Sequence, residues 1–367
     1  MYSKNSNRNL KIAAIVGTRP NFMKLSAICN AISPSDNIQL IIIHTGQHNT
    51  DTMSDIFFRE LNLPYPDYKI NVNNNNSTWQ IATNVLNLRL VLYRCRPDYV
   101  MVFGDVNSTV SGAIVSAYEN IPVIHIESGL RCFRDDMHEE LNRVITDRLS
   151  SLLFVTEESG MENLRKENIN MNKAFLVGNT MVDTLYKYLK RIKEIAENDK
   201  HYNDYAMFTL HRHDNIENTV NLKNILNAVK TVSNNIRIVF PIHPHTLDCI
   251  KSHNLYGVID NCNISILEPL GYLEFLSLLC NAKFVLTDSG GVPTESYVLG
   301  IPCLTLRNET EQPVLIEHGC NKLVGNTYDG IINGYNDITN KQYTNIPLWD
   351  GNTSKRIISI IKEKCMN

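Results

Sequence analysis

What most restricts the fold of this chain is a rhythm that occurs twice. Short apolar runs alternate with longer amphipathic ones. In the first half, "KIAAIVG", "LIIIHTG", "YVMVFGD", "VIHIES" and "LLFVTEES" read as strands, each closing on Gly, Ser, Asp or Glu, with helical patterns such as "MKLSAICNAI" and "TVSGAIVSAY" between them. After a charged stretch, "KRIKEIAENDKHYND", the second set follows: "YAMFTLH", "IRIVFPIH", "ISILEP", "KFVLTDSGG" and "PCLTLRN". A strand that is apolar on both faces must be covered on both faces, and alternation with helices achieves this as a parallel sheet. The expected fold class is therefore α/β, with two doubly wound parallel-sheet domains facing an interdomain cleft. The expected limits are 1–184 and 185–350. A terminal amphipathic helix over 351–367, "NTSKRIISIIKEKCM", carries Ile357, Ile358, Ile360 and Ile361 and is expected to pack back on the first domain. Ligands of such domains bind at the carboxyl ends of the strands.

Composition removes several classes of function. A length of 367 residues accommodates two domains, each with its own core. The net charge of −3, with no basic tract, argues against a nucleic-acid or membrane-surface partner. The nine cysteines are scattered with no C-x-x-C pair, and Cys29, Cys280 and Cys303 sit in apolar segments. That pattern fits a reducing compartment, and a cytoplasmic location is expected. The first ten residues are polar and lack a signal-peptide core, and no apolar run approaches the roughly 20 residues of a spanning helix. The Asn-rich "NVNNNNSTW" reads as a surface loop.

Three motifs of the first half end strands with chemistry. In "VGTRPNFMK", Gly17 permits a tight turn, and Arg19 and Lys24 bracket the start of a helix whose free N–H groups already favour an anion such as a diphosphate. The absence of G-x-G-x-x-G argues against a nicotinamide cofactor. In "FGDVNST", Asp105 is either a helix N-cap or a site group. In "HIESGLRCFRDDMHEELNR", Glu127 closes a strand and Gly129 turns the chain, while Asp135 or Asp136 is placed to cap a helix beginning near Met137. On that helix Glu139 and Arg143 share a face, and Leu141, Ile145 and Leu149 are expected inward. Asp105, Glu127 and Glu139 are expected at one cleft edge, where crowding would raise their pKa values into a useful range.

The second half offers counterparts. "LTDSGGVPTES" ends a strand at Asp288, follows it with Ser289, Gly290 and Gly291, and sets Glu295 on the next helix, where a carboxylate suits the two hydroxyls of a ribose. "DSGG" also surrounds the nucleophile of trypsin-like proteases, but those are disulfide-bonded all-β proteins. "FTLHRHDN" gives His211, Arg212 and His213, of which one histidine is expected to face the cleft, and "FPIHPHT" gives His243 and His245. Two H-x-H pairs without a matched carboxylate or cysteine make a weak zinc signature, so acid/base or hydrogen-bonding histidine is expected and no metal.

"GTRPNFMK", "HTGQH", "FGDVNST", "HIESGLR", "HEELNR", "VGNTMVD", "LHRHDN", "TDSGG" and "LRNETEQP" occur in the order and spacing of the non-hydrolysing UDP-N-acetylglucosamine 2-epimerases, and from about Lys11 to Gly325 the chain resembles that family. The resemblance implies the GT-B architecture, two Rossmann-like domains with the nucleotide between them. It also implies inversion of C2 of a UDP-2-acetamido sugar. UDP and the C2 proton are eliminated to a 2-acetamidoglucal, and UDP adds back with protonation from the other face. Neither metal nor nicotinamide is implied, and a homodimer is the family's habit.

By motif, Asp105, Glu127, Glu139 and His211 match the catalytic groups. Arg19, Lys24, Arg143, Ser289, Gly290, Gly291 and Glu295 match UDP-sugar ligands, and Arg212 and His243 are counted with them. Three departures stand out. "GGVPTE" replaces the usual "GGIQEE", so Thr294 stands where Glu is common. Gln312 stands where Arg is usual. "GQHNTDTMSD" carries an extra residue near the segment where some bacterial members bind an activating second UDP-GlcNAc. "GTRPNFMK" and "DDMHEELNRVITD" are similar to a subgroup that includes enzymes of modified UDP-sugars. The competing readings are a hydrolysing relative, whose usual first motif is G-S/T-R-A-E/D, a GT-B glycosyltransferase, and a non-catalytic UDP-sugar binder.

Overall fold

The computed structural model describes residues 9–46, 57–72, 76–198, 202–260, 262–338 and 343–366. Most of "GQHNTDTMSD" and the centre of "NVNNNNSTW" lie outside the described residues. The chain divides into two compact units, one of Met1–Thr184 with Pro347–Asn367, the other of Leu185–Ile346. No described helix is long and apolar enough to cross a membrane.

The first unit is built on seven described strands: β1 (Leu10–Val16), β2 (Ile38–His44), β3 (Tyr68–Lys69), β4 (Tyr99–Phe103), β5 (Val123–Ser128), β6 (Leu152–Val155) and β7 (Ala174–Leu176). Their order is β3-β2-β1-β4-β5-β6-β7, and every pairing is parallel. β1 has Leu10 opposite Ile38 on one side and Ile12 opposite Tyr99 on the other. The chain leaves β1 toward β2 and later returns across it to β4, so the crossovers diverge there. Ala13, Ile15, Val100 and Val102 are buried in a core closed by Leu88, Leu92 and Ala113 from the helices Ser77–Cys95 and Asn107–Tyr118.

The second unit repeats the plan. Its six described strands are β8 (Tyr205–Thr209), β9 (Arg237–Pro241), β10 (Ile264–Leu267), β11 (Val285–Thr287), β12 (Cys303–Thr305) and β13 (Asn321–Leu323), in the parallel order β10-β9-β8-β11-β12-β13. The reversal falls at β8, between β9 and β11. One face of the sheet carries Phe208, Phe240 and Leu286, covered by Leu222, Ile225, Leu226 and Val229 of the helix Thr219–Ser233. Both units are therefore Rossmann-like α/β folds.

One helix reads opposite to its sequence pattern. His138–Leu149 buries Asn142, Arg143, Thr146 and Asp147 and exposes Leu141, Val144 and Leu149, with Ile145 half-buried. Its inner face serves a buried polar network rather than an apolar core. Nor is it capped by Asp135 or Asp136. Met137 holds the cap position without a side-chain capping bond, and Asp136 instead accepts from Arg134 Nε at 3.0 Å.

The terminal helix Thr353–Cys365 packs on the helix Arg19–Ala31 and buries Ile357, Ile358 and Ile361. Its amino end is satisfied from a distance. Asp183 accepts from the Thr353 amide at 3.1 Å, the Ser354 amide at 2.7 Å and Ser354 Oγ at 2.6 Å. Asp183→Ala strands three donors at a buried helix end. It should cost about 2 kcal/mol in urea unfolding, whereas Asp183→Asn should cost less.

Candidate active site

In the first unit the polar residues gather where the strand order reverses. The turn after β1 is fixed by Asn21, whose Oδ1 accepts from the amides of Gly17 (3.1 Å) and Thr18 (3.3 Å) and whose Nδ2 donates to the Phe103 carbonyl at 3.1 Å. That bond ties the β1 turn to the end of β4. The approach is close, since a Cβ on Gly17 would lie 2.1 Å from Ser108 Oγ. Arg19 opens the following helix with its guanidinium 4.9 Å from the Phe57 ring centroid.

Lys24 lies one turn further on, buried, with Nζ 2.6 Å from Glu127 Oε1. Glu127 sits in a bulge between Ile126 and Ser128 at the end of β5 and has φ +69°, a left-handed backbone rare for glutamate. The bulge turns its side chain toward Lys24. Its Oε2 is buried with no hydrogen-bond partner among the described residues. Gly104 (φ +61°) closes the group, because a Cβ there would lie 2.8 Å from Lys24 Nζ.

Asp105 is not a helix cap, since Val106 takes that position. Its Oδ2 instead lies 2.5 Å from Arg143 Nη2, and its carbonyl accepts from Asn142 Nδ2 at 2.8 Å. Arg143 Nη1 also reaches Glu140 Oε2 at 2.6 Å. The cation thus bridges Asp105 and Glu140. Burial would raise the Glu140 pKa, but the Cys132 amide, Arg143 and the Phe133 amide outweigh it and hold the carboxyl below its usual range.

Glu139 stands exposed on the first turn of its helix. Asp105, Glu127 and Glu140 are thus each matched to a cation. Beneath them Asp147, fully buried, meets His125 Nδ1 at 2.7 Å, Arg131 Nη2 at 2.7 Å and the Gly129 amide at 3.0 Å. His125 Nε2 reaches the Gly104 carbonyl at 2.8 Å. The buried charge of "HIESGLR…NR" therefore joins the ends of β4 and β5.

In the second unit the hub is Asp288, at the end of β11. It accepts from the His211 amide (3.1 Å), the Arg212 amide (2.8 Å) and Asn215 Nδ2 (3.2 Å), and lies 3.1 Å from His211 Nδ1. Burial alone would raise its pKa, but the His211 ring and these amides lower it below the usual carboxylate range. His211 stays half exposed, its ring oriented by the buried carboxylate.

Ser289–Gly291 form the turn into the helix Val292–Leu299, where Glu295 is buried. A Cβ on Gly290 would lie 2.7 Å from Glu311 Oε1 and 4.0 Å from Arg212 Nη2 and from Arg307 Nη1. Arg307 and Glu311, an i,i+4 pair at 2.8 Å, were not singled out from the sequence. Their position just past an apolar strand was the signal for them. His243 caps the helix Pro244–Ser252, its Nδ1 accepting from the His245 amide at 3.2 Å.

The departures at Thr294 and Gln312 turn out to be one feature. Thr294 Oγ1 donates to Gln312 Oε1 at 2.8 Å, and both residues are buried. Where relatives commonly carry Glu and Arg, this chain has a neutral pair in contact. Thr294→Glu alone should cost roughly 3 kcal/mol, because it buries an unpaired carboxylate. Adding Gln312→Arg should recover more than half of that loss in a urea double-mutant cycle.

Twin parallel sheets, each with its polar residues gathered where strand order reverses, define an α/β protein of the GT-B type. The profile of the UDP-N-acetylglucosamine 2-epimerase family matches residues 30–362, and the chain belongs to that family. It is 41% identical over 363 residues to the UDP-N-acetylglucosamine 2-epimerase of Methanocaldococcus jannaschii, covering 96% of this chain and 99% of the relative. The crystal structure of the M. jannaschii enzyme in complex with UDP-GlcNAc and UDP has a TM-score of 0.90, with 96% of this chain and 100% of that one covered. The UDP-2,3-diacetamido-2,3-dideoxy-D-glucuronate 2-epimerase of Pseudomonas aeruginosa is 35% identical over 329 residues, 88% of this chain and 90% of its own.

Proposed function

We propose that this protein inverts C2 of a UDP-2-acetamido sugar, most simply interconverting UDP-GlcNAc and UDP-ManNAc. The observation that carries the reading is Glu127, a partly buried carboxylate with one oxygen on Lys24 and the other buried without a partner among the described residues. Such a group is held ready to take or return a proton at a substrate carbon. Asp105 and Glu139 supply the remaining acid/base groups, and Arg143, anchored on Glu140, holds Asp105. His211, oriented by Asp288, acts on the diphosphate side. Arg19 and Lys24, at a helix amino end, and the Ser289–Gly291 turn with Arg212 and His243 hold the UDP as it departs and returns, and Glu295 holds the ribose. The chemistry is elimination to a 2-acetamidoglucal followed by re-addition, and UDP stays on the product. A cytoplasmic location is supported by the cysteines, all free, with Cys132, Cys303, Cys320 and Cys365 buried.

In heavy water, UDP-GlcNAc should gain deuterium at C2 without release of UDP, followed by NMR. Free UDP accumulating in step with free sugar would replace this reading with the hydrolysing one. Glu127→Gln should lower the exchange rate at least about a hundredfold while UDP binding changes little.

We also propose a homodimer. Leu86, Leu90 and Tyr93 stand exposed on the helix Ser77–Cys95, Tyr118 at the end of Asn107–Tyr118, and Leu141 and Val144 on His138–Leu149. These three helices pack side by side. A second copy of this chain is the occupant that suits an apolar face repeated on every molecule, and two-fold dimers are the commonest closed assembly. Light scattering should give twice the chain mass, and Leu90→Glu with Leu141→Glu should give the monomer mass with unchanged far-ultraviolet circular dichroism. A wild-type monomer would overturn the proposal.

A further inference from the structure

The two H-x-H pairs divide their labour. The first histidine of each is engaged locally, His211 with Asp288 and His243 as a helix cap. The second of each pair, His213 and His245, converge with ring centroids 5.8 Å apart. This follows from topology, since β8 and β9 are neighbours and each pair lies just past one of their ends. The carboxylate and thiol missing from the linear spacing are then supplied one helical turn on. Glu217 Oε1 lies 2.7 Å from His213 Nδ1 and 3.9 Å from His245 Nε2. Cys249 Sγ lies 3.9 Å from His245 Nε2. The ligand atoms of His213, Glu217 and His245 all lie within 4.8 Å of one another, and the three side chains are exposed.

We propose that His213, Glu217, His245 and Cys249 form a binding site for a divalent transition-metal ion, with Zn²⁺ the best match. Two imidazoles, a carboxylate and a thiol are a borderline-soft donor set of the kind zinc takes, in a number that closes a tetrahedron. At zinc–ligand distances of about 2.0–2.3 Å, neighbouring donor atoms stand roughly 3.4 Å apart. The separations of Glu217 from the two imidazoles, 2.7 and 3.9 Å, and of Cys249 from His245, 3.9 Å, bracket that value. Exposed side chains on two short helices reach it by rotation about their χ angles, without moving the strands. Binding displaces the proton from the Cys249 thiol, which burial, Glu217 and Asp248 otherwise hold on the sulfur. The ion would clip the connections after β8 and β9 together, two residues from His211. It has no part in the chemistry of the function proposed above.

The test uses the chelator-stripped, full-length protein and ZnCl₂ as titrant, read by isothermal calorimetry. One ion per chain is expected in the low-micromolar range or tighter. Affinity should fall at least about tenfold in His213→Ala/His245→Ala and should weaken as pH falls, because protons and the ion compete for the same ligand atoms. With Co²⁺ in place of Zn²⁺, a thiolate charge-transfer band should appear and be absent in Cys249→Ser. Circular dichroism of the variants should match wild type, because all the altered side chains lie at or near the surface. Equal affinity and stoichiometry in the double variant would overturn the site, as would no binding by the wild type. A charge-transfer band persisting in Cys249→Ser would overturn the sulfur's place in it.

Discussion

The organising constraint of this molecule is the reversal of strand order beside β1 and again beside β8. In a parallel sheet every strand end needs a crossover, and the crossovers cover the ends they leave. Where consecutive connections depart in opposite directions, two adjacent ends are left bare, and backbone N–H groups and polar side chains can meet there without burying an unsatisfied group. The first unit uses this at β1 and β4 for Lys24 and Asp105, and the second at β8 and β11 for His211 and Ser289. Short side-chain bonds tie these regions: Thr45 Oγ1 to Ser108 Oγ at 2.6 Å joins the residue after β2 to the helix after β4, and Thr209 Oγ1 to Thr287 Oγ1 at 2.6 Å joins β8 to β11.

On that frame the electrostatics are local and matched. Asp147 and Asp288, both fully buried, are each surrounded by a histidine and backbone donors, and Asp147 by an arginine as well. An unmatched buried carboxylate would cost several kcal/mol, so partners are expected wherever charge is only structural. Glu127, partly buried, departs from that pattern at one oxygen, on a bulged, left-handed residue at the end of a central strand.

Much of the fold was legible because it rests on apolar runs long enough to be unmistakable. All ten strands read from such runs are present. The three that escaped notice, β3, β7 and β13, are two or three residues long and lie at sheet edges, where no continuous apolar run is needed. The helix His138–Leu149 misled for the opposite reason. Periodicity reports which face is apolar, and here the buried face is the polar one, committed to Asp105, His125 and Arg131. The strand-end acids and cations were legible as types at positions, but their pairings were not. Whether Arg143 would meet Glu139 or Asp105 and Glu140 depends on a loop approaching from 38 residues away. The same limit hid the contact between Thr294 and Gln312. The carboxylate and thiol beside His213 and His245 lie only four residues on; what the spacing did not carry was that β8 and β9 bring the two pairs together.

The left-handed backbone at Glu127 carries a cost that its side chain offsets. An ordinary L-residue pays roughly 1 kcal/mol or more for that conformation, which glycine adopts freely and asparagine tolerates. Glycine at 127 would relieve it but leave the buried Lys24 ammonium without its carboxylate, which costs several kcal/mol. Libraries of this protein ranked only by heat tolerance will therefore keep an acid at 127, on a backbone that an acid does not prefer.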